Sequence, residues 1–289
     1  IASMSYPNLE IIQGDAENLE SVLEITRDVD IVYSCVGFPK YEAKYWAIHW
    51  PIVVKNLLEA NQQYKTKLVF CDNLYAYGPG TNISTKSDTV PPSSKSKPGI
   101  RAMMRETFVT YMNNHKDRLT VVGGADFFGP YVTTNSLLGD IVTGNLVQGK
   151  APMALGNADR IHDFCYAPDF LLTLCATLQA SNNQAYNMCW ICNRSVRESI
   201  TNDIGELVCT TTTKKLKVLP SFGVRILSRL VWRTMADEWI LWNAPLLDNR
   251  LHTANDSDFI ETIHVQPTPY KKAFAEPRWF LQSQASIVV

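Results

Sequence analysis

Residues 67–79 read KLVFCDNLYAYGP, and the fold turns on them. Leu68, Val69, Phe70 and Cys71 follow one another with no polar alternation, so the strand they predict is buried on both faces. Asp72 and Asn73 then end the run in a turn. Outward from this strand the chain alternates. Residues 30–37 (DIVYSCVG) form another continuous apolar run, which closes on Gly37, and residues 119–122 (LTVV) form a third. Between these runs, residues 41–61 place Val53, Val54, Leu57, Leu58 and Ala60 on one helical side. Pro98 suits a first helical position, and Ile100, Met103, Met104, Phe108 and Tyr111 follow it at helical spacing. Residues 9–12 (LEII), leading to Gly14-Asp15, read as a short strand, 18–26 as a short helix, 169–179 as a helix and 185–189 as a strand. Apolar strands separated by amphipathic helices specify an α/β fold with a doubly wound parallel sheet covered on both faces. In such sheets the ligand crevice lies beyond the carboxyl ends of the strands. That singles out Asp15, residues 35–37, residues 72–78 and residues 123–130.

The chain has 289 residues, which suits one large domain or a domain with a smaller lobe. With a formal net charge of −1 and no basic block, it lacks the electrostatic footprint of a nucleic-acid binder. No run of 18 apolar residues predicts a membrane span, and residues 1–7 do not read as a secretory signal. The seven cysteines are odd in number and lie mostly in apolar runs, which predicts reduced, buried thiols and a cytoplasmic protein. Cys189 and Cys192 form a Cys-x-x-Cys without a second ligand pair, so burial is the better reading and no metal site is expected. From Asn193 the alternation fades. Residues 221–247 read as an amphipathic helix of a C-terminal lobe, and 84–98 as a long polar loop.

Several segments resemble, in order, the extended short-chain dehydrogenase/reductases, also called the NAD-dependent epimerase/dehydratase family. They are Gly14-Asp15-Ala16, Cys35-Val36-Gly37, residues 56–60 (NLLEA), residues 70–79 (FCDNLYAYGP), residues 126–130 (DFFGP), residues 162–166 (HDFCY) with Asp169, residues 186–188 (YNM) and Pro267-Thr268-Pro269. The resemblance implies a Rossmann-like domain over residues 1–190, with 131–160 partly in a substrate lobe, and a small C-terminal α/β lobe over 191–289. It implies NAD or NADP as cofactor, contacted by Asp15, Ala16, Cys35, Val36, Gly37 and Arg101. It implies a small-molecule substrate contacted by Asp126, Asn135, Ser136 and His162. A homodimer through the helices at 41–61 and 98–114 is a further expectation.

Two departures from the family pattern bear on function. The 14 glycines contain no Gly-x-x-Gly-x-x-Gly spacing, the turn that brings backbone close to a pyrophosphate. The resemblance therefore predicts that two strands, about 40 to 60 residues of βαβ structure, precede Ile1. The family also uses a Ser or Thr, a Tyr and a Lys four residues after the Tyr as its proton-transfer set. Here Asn73 takes the Ser/Thr position, and Lys97 and Arg101 take the Tyr and Lys positions. A guanidinium does not act as a base near neutral pH. The acid/base role then passes to Tyr75 or Tyr77, with Lys95 or Lys97 lowering the phenol's pKa, or it is lost and the protein is a silent dinucleotide-binding regulator or scaffold, or the loop aligns differently and the acid lies elsewhere. Trp50 stands where the family has a helix Asn, and Trp46 and Trp50 are expected to wall a substrate or a dimer face. A protein-interaction module using exposed tryptophans is a third class.

Overall fold

The computed structural model describes residues 8–77, 89–115, 117–132, 136–178, 186–189, 192–200, 215–223, 226 and 265–274. Helix α1 (Leu19–Thr26) is capped by Asn18, whose side chain accepts from the Ser21 N–H. Strand β1 (Ile31–Ser34) leads to α2 (Ala43–Tyr64), then β2 (Lys67–Asn73), α3 (Lys97–Asn114) and β3 (Leu119–Gly124). The next elements are β4 (Asp126–Phe128), a π-helical turn (Gly139–Gly144) running into α4 (Asn145–Val147), β5 (Met153–Leu155) and β6 (Ile161–Tyr166). They are followed by α5 (Ala167–Ala176), β7 (Tyr186–Cys189), β8 (Cys192–Ser195), α6 (Val196–Glu198), β9 (Lys217–Leu219) and α7 (Tyr270–Phe274).

The main sheet has the order β1-β2-β3-β7, and each pair in it is parallel. A three-stranded sheet β4-β6-β8 and a two-stranded sheet β5-β9 complete the architecture. One residue, Ala125, separates β3 from β4, so the chain passes from the main sheet into the second sheet at the strand ends. The apolar pattern of β2 is realised, with Leu68, Val69 and Phe70 all buried. On α2, Trp46, Trp50, Val53, Val54, Leu57, Leu58 and Ala60 form the buried stripe and share a core with Ile100, Met104 and Phe108 of α3 and Val121 of β3. A smaller core of Val69, Val122, Cys165, Phe170 and Leu174 places α5 on the sheet. A third core joins Phe128, Leu138, Val142, Phe164, Val196 and Tyr270. There Pro267-Thr268-Pro269 is tied to α5, because the Asp169 carboxylate accepts from the Thr268 N–H at 2.6 Å and hydroxyl at 2.8 Å.

Three expectations are corrected. Residues 9–12 form no strand, and Leu9, Ile11 and Ile12 are exposed. A strand needs a neighbour to take its backbone hydrogen bonds. Among the described residues β1 pairs with β2 alone, and nothing pairs with 9–12. Trp46 and Trp50 are each only 1% exposed, so they wall neither a substrate nor a dimer face, and the other tryptophans lie outside the described residues. Of the cysteines expected to be buried, Cys165 is, but Cys35 and Cys175 are exposed and Cys71 is half-buried. Most of the amphipathic helix expected at 221–247 lies outside the described residues, as do the side chains of Cys189 and Cys192. Among the described residues no helix is long and apolar enough to cross a membrane, and no cluster of metal-binding side chains occurs.

Candidate functional site

The carboxyl ends of β1, β2 and β3 converge on one edge of the sheet, and the start of α3 packs against them. Ser96 caps α3, its hydroxyl accepting from the Gly99 N–H at 3.2 Å. This helical start delivers both cations of the Lys-x-x-x-Arg segment into the interior: Lys97 is 1% exposed and Arg101 4%. Arg101 donates to the Asp72 carboxylate at the end of β2, at 2.9 Å. Its guanidinium lies 4.1 Å from the Trp50 ring centre and 4.9 Å from that of Trp46. The Lys97 ammonium lies 4.8 Å over the Tyr41 ring and 5.8 Å over Trp46. Desolvated contacts of this type contribute about 2 kcal/mol each. Burial pushes the Asp72 carboxyl above its ordinary value, and Arg101 draws it back only in part.

Tyr75 follows β2 in a short 3₁₀ turn (Tyr75–Tyr77). Its N–H is held by the Asn73 side chain at 3.0 Å, so Asn73 serves the turn. The Tyr75 ring stacks near Trp46, and its hydroxyl lies 3.4 Å from that of Tyr41. Burial pushes the Tyr75 phenol well above its ordinary value, with Tyr41 and Asp126 adding to the rise and Arg101 opposing it. Tyr41 shifts the same way, chiefly through burial. The lowered phenol expected at Tyr75 is thus the reverse of what this environment produces: Lys97 lies over the ring of Tyr41, and Lys95 is exposed. Tyr77 accepts from Arg105 at 3.3 Å, a contact across to α3.

In the second sheet, His162 of β6 meets Asp126 of β4 through Nε2 and Oδ2 at 2.7 Å. The pair arises because β4 and β6 are parallel neighbours, with Asp126 in register with Phe164. The Asp126 charge reaches Tyr41 and Tyr75, so it belongs to the same cluster as the strand ends. The Ser136 hydroxyl donates to the Phe127 carbonyl at 2.8 Å and accepts from the Leu138 N–H, which makes it a loop fastener. Asn135 lies outside the described residues.

At the other end, Asp15 opens α1. Its carboxylate accepts from the Glu17 N–H at 2.9 Å, and the Ala16 carbonyl accepts from Asn56 of α2 at 3.1 Å. Cys35, Val36 and Gly37 follow β1. Around Gly37 no atom lies within 4 Å of where a Cβ would stand, so the backbone there is open to a ligand. A groove of about 360 Å³ opens between α2 and α3, lined by Pro51, Val54, Ile100, Met103 and Met104 among others, and none of the expected site residues lines it. Sequence reasoning missed Tyr41 and the role of Asp72. Asp72 carried a signal, since a carboxylate closing a doubly buried strand needs a cation, and Lys97 and Arg101 open the next helix.

These features define a Rossmann-type α/β protein whose ligand edge is the carboxyl end of a parallel sheet. The sequence profile of the NAD dependent epimerase/dehydratase family matches residues 2–189, and the chain belongs to that family. Among solved structures, it is similar to UDP-glucuronic acid 4-epimerase from Bacillus cereus in complex with NAD, at 16% identity and TM-score 0.71, over 94% of this chain and 80% of that one. The dTDP-glucose 4,6-dehydratase from Bacillus anthracis, in complex with NAD, matches at 15% identity and TM-score 0.74, over 98% and 83% of the two chains. The UDP-glucose 4-epimerase from Thermotoga maritima, with UDP-glucose, matches at 15% and 0.71, over 98% and 89%. Such likenesses establish the fold. No curated protein matches the sequence.

Proposed function

We propose that this protein binds NAD or NADP along the carboxyl ends of β1 and β2 and acts on a hydroxylated or carbonyl small molecule of the sugar-nucleotide class. The observation that carries the reading is the Asp126–His162 pair, 2.7 Å apart at the substrate end of the strand-end cluster. The residues present fit one side of a dinucleotide: the open backbone at Gly37, the turn at Asp15 and Ala16, and Cys35 and Val36 at the end of β1. Arg101 was expected to hold a ribose or phosphate. Its pairing with Asp72 makes it a support for the strand end, while its charge still favours an anionic ligand nearby. Bound nicotinamide supplies reversible hydride transfer at the carbon bearing the substrate oxygen. The chain's own task is the proton on that oxygen. Buried phenols that resist ionisation do not take it readily. The His162 imidazole, held by the Asp126 carboxylate at 2.7 Å, is the group placed to give or take that proton.

The test is turnover of UDP-glucose, UDP-glucuronic acid or dTDP-glucose by the full-length protein with NAD, followed by chromatography of the sugars and absorbance of reduced cofactor. A His162→Gln variant is expected to lose 10²- to 10⁴-fold in kcat, the usual range for removing a general acid/base. Full activity in that variant contradicts the role given to His162. A second reading has its own observation in favour: the two cations at the positions of the family's Tyr and Lys are buried, and so is Trp50 at the position of its helix Asn. On that reading the protein is a silent dinucleotide-binding regulator or scaffold. Saturable cofactor binding without turnover of any sugar nucleotide or secondary alcohol selects it.

A further inference from the structure

Two nucleophiles at the strand ends take no part in the proton transfer above. β1 and β2 are parallel, with Ser34 opposite Phe70, so the next pair in the same register is Cys35 and Cys71. Their sulfurs lie 3.0 Å apart. Neighbouring strands run about 4.8 Å apart, inside the Cα separation of about 4.4–6.8 Å that a disulfide spans. The sulfurs need approach by about 1 Å more to reach bonding distance. Cys35 is exposed and Cys71 half-buried, so a small oxidant reaches one and the other is poised behind it.

We propose that Cys35 and Cys71 form a reversible redox site that reacts with low-molecular-weight disulfides of the glutathione type and closes into an intramolecular disulfide across the ends of β1 and β2. The Cys35 thiolate attacks one sulfur of the small disulfide. A bond forms to Cys35, the small S–S bond breaks, and one thiolate leaves. Cys71 then gives its proton to water and attacks the Cys35 sulfur, expelling the second small thiolate. Two protein thiols are oxidised, and one small disulfide is reduced to two thiols. The local chemistry suits this order. Hydrogen bonding from Cys71 brings Cys35 down to about 7, against the effect of burial. Cys71 is held high, first by Cys35 and then by burial. Capping Cys35 removes the first of those causes, which frees Cys71 for the second step.

The experiment uses full-length protein, reduced and then exposed to oxidised glutathione near neutral pH, quenched with an alkylating reagent, and read by intact mass and peptide mapping. The expected product has lost two hydrogens, retains no glutathione, and shows peptide 28–40 linked to peptide 68–86. A Cys71→Ser variant is expected to keep glutathione on Cys35. A stable glutathione adduct on Cys35 in the unsubstituted protein, or both thiols still open to alkylation, overturns the proposal. Folding of the variants is bypassed by a second measurement, the pH dependence of Cys35 alkylation in the unsubstituted protein. A midpoint near 7 supports the pair, and a midpoint at the ordinary thiol value of about 8.5 overturns it.

Discussion

The buried Asp72–Arg101 pair sets the electrostatics at the end of β2. The Asp72 carboxyl is pushed up by burial despite Arg101, so the pairing does not fully offset desolvation. Replacing one partner leaves the other charge buried and alone. Asp72→Ala is therefore expected to lose about 3–5 kcal/mol in denaturant unfolding, while an Asp72→Leu, Arg101→Met double variant loses less than either single change. Equal or additive losses contradict this account. Tyr41 and Tyr75 give a pH prediction. Their folded-state values are raised, so the stability tied to them is complete below the unfolded value of about 10 and is lost as pH rises through the folded value. Absorbance near 295 nm is expected to show Tyr41 and Tyr75 ionising only in a late phase, with unfolding accompanying it. Tyr41 meets Tyr75 across 34 positions with nothing local to encode it, whereas Asp72 meets Arg101 across 29, where a carboxylate closing a buried strand ahead of a helix that opens on two cations was the one signal. Asp126 lies in the strand-end segment that the crevice argument singled out, whereas His162 was reached only through family resemblance.

At the scale of elements, legibility followed burial. β1, β2 and β3 were read from their continuous apolar runs, and α2 from its stripe, because tertiary burial and local pattern agree there. Residues 9–12 have the composition of a strand, but composition does not supply a partner. β4, β5, β8 and β9 have three or four residues each, too short for any period to show. The start of α3 matters most, since it aims Lys97 and Arg101 inward. Ser96→Ala is expected to cost about 1 kcal/mol by thermal or denaturant unfolding. No loss would mean that packing alone fixes the helix start. Gly129 has φ of +123°, and an added Cβ would meet the Tyr166 ring at 2.8 Å. Gly129→Ala thus strains the turn that follows β4, and a drop in melting temperature is the expected result.

For the whole molecule, the sheet edge gathers Asp15 and Gly37, to which the proposed function gives the dinucleotide, and Asp126 and His162, to which it gives the substrate, together with the Arg101 cluster. The expected homodimer would seat a second copy on the apolar groove between α2 and α3. Sedimentation is expected to give twice the mass of one chain, reduced to a single chain in Met103→Glu, which lines that groove. A monomer before substitution rejects the dimer. The fold class was legible throughout, because strand and helix runs alternate over the first 190 residues. The Asp126–His162 pair was not, because it joins two strands of a second sheet that the pattern did not announce. The central claim is that this edge holds a nicotinamide dinucleotide. Its most direct test is a titration of the full-length protein with NADH and NADPH, followed by energy transfer from tryptophan to the reduced nicotinamide. The account predicts saturable binding of at least one of them, with quenching of tryptophan emission. No saturable binding of either contradicts it.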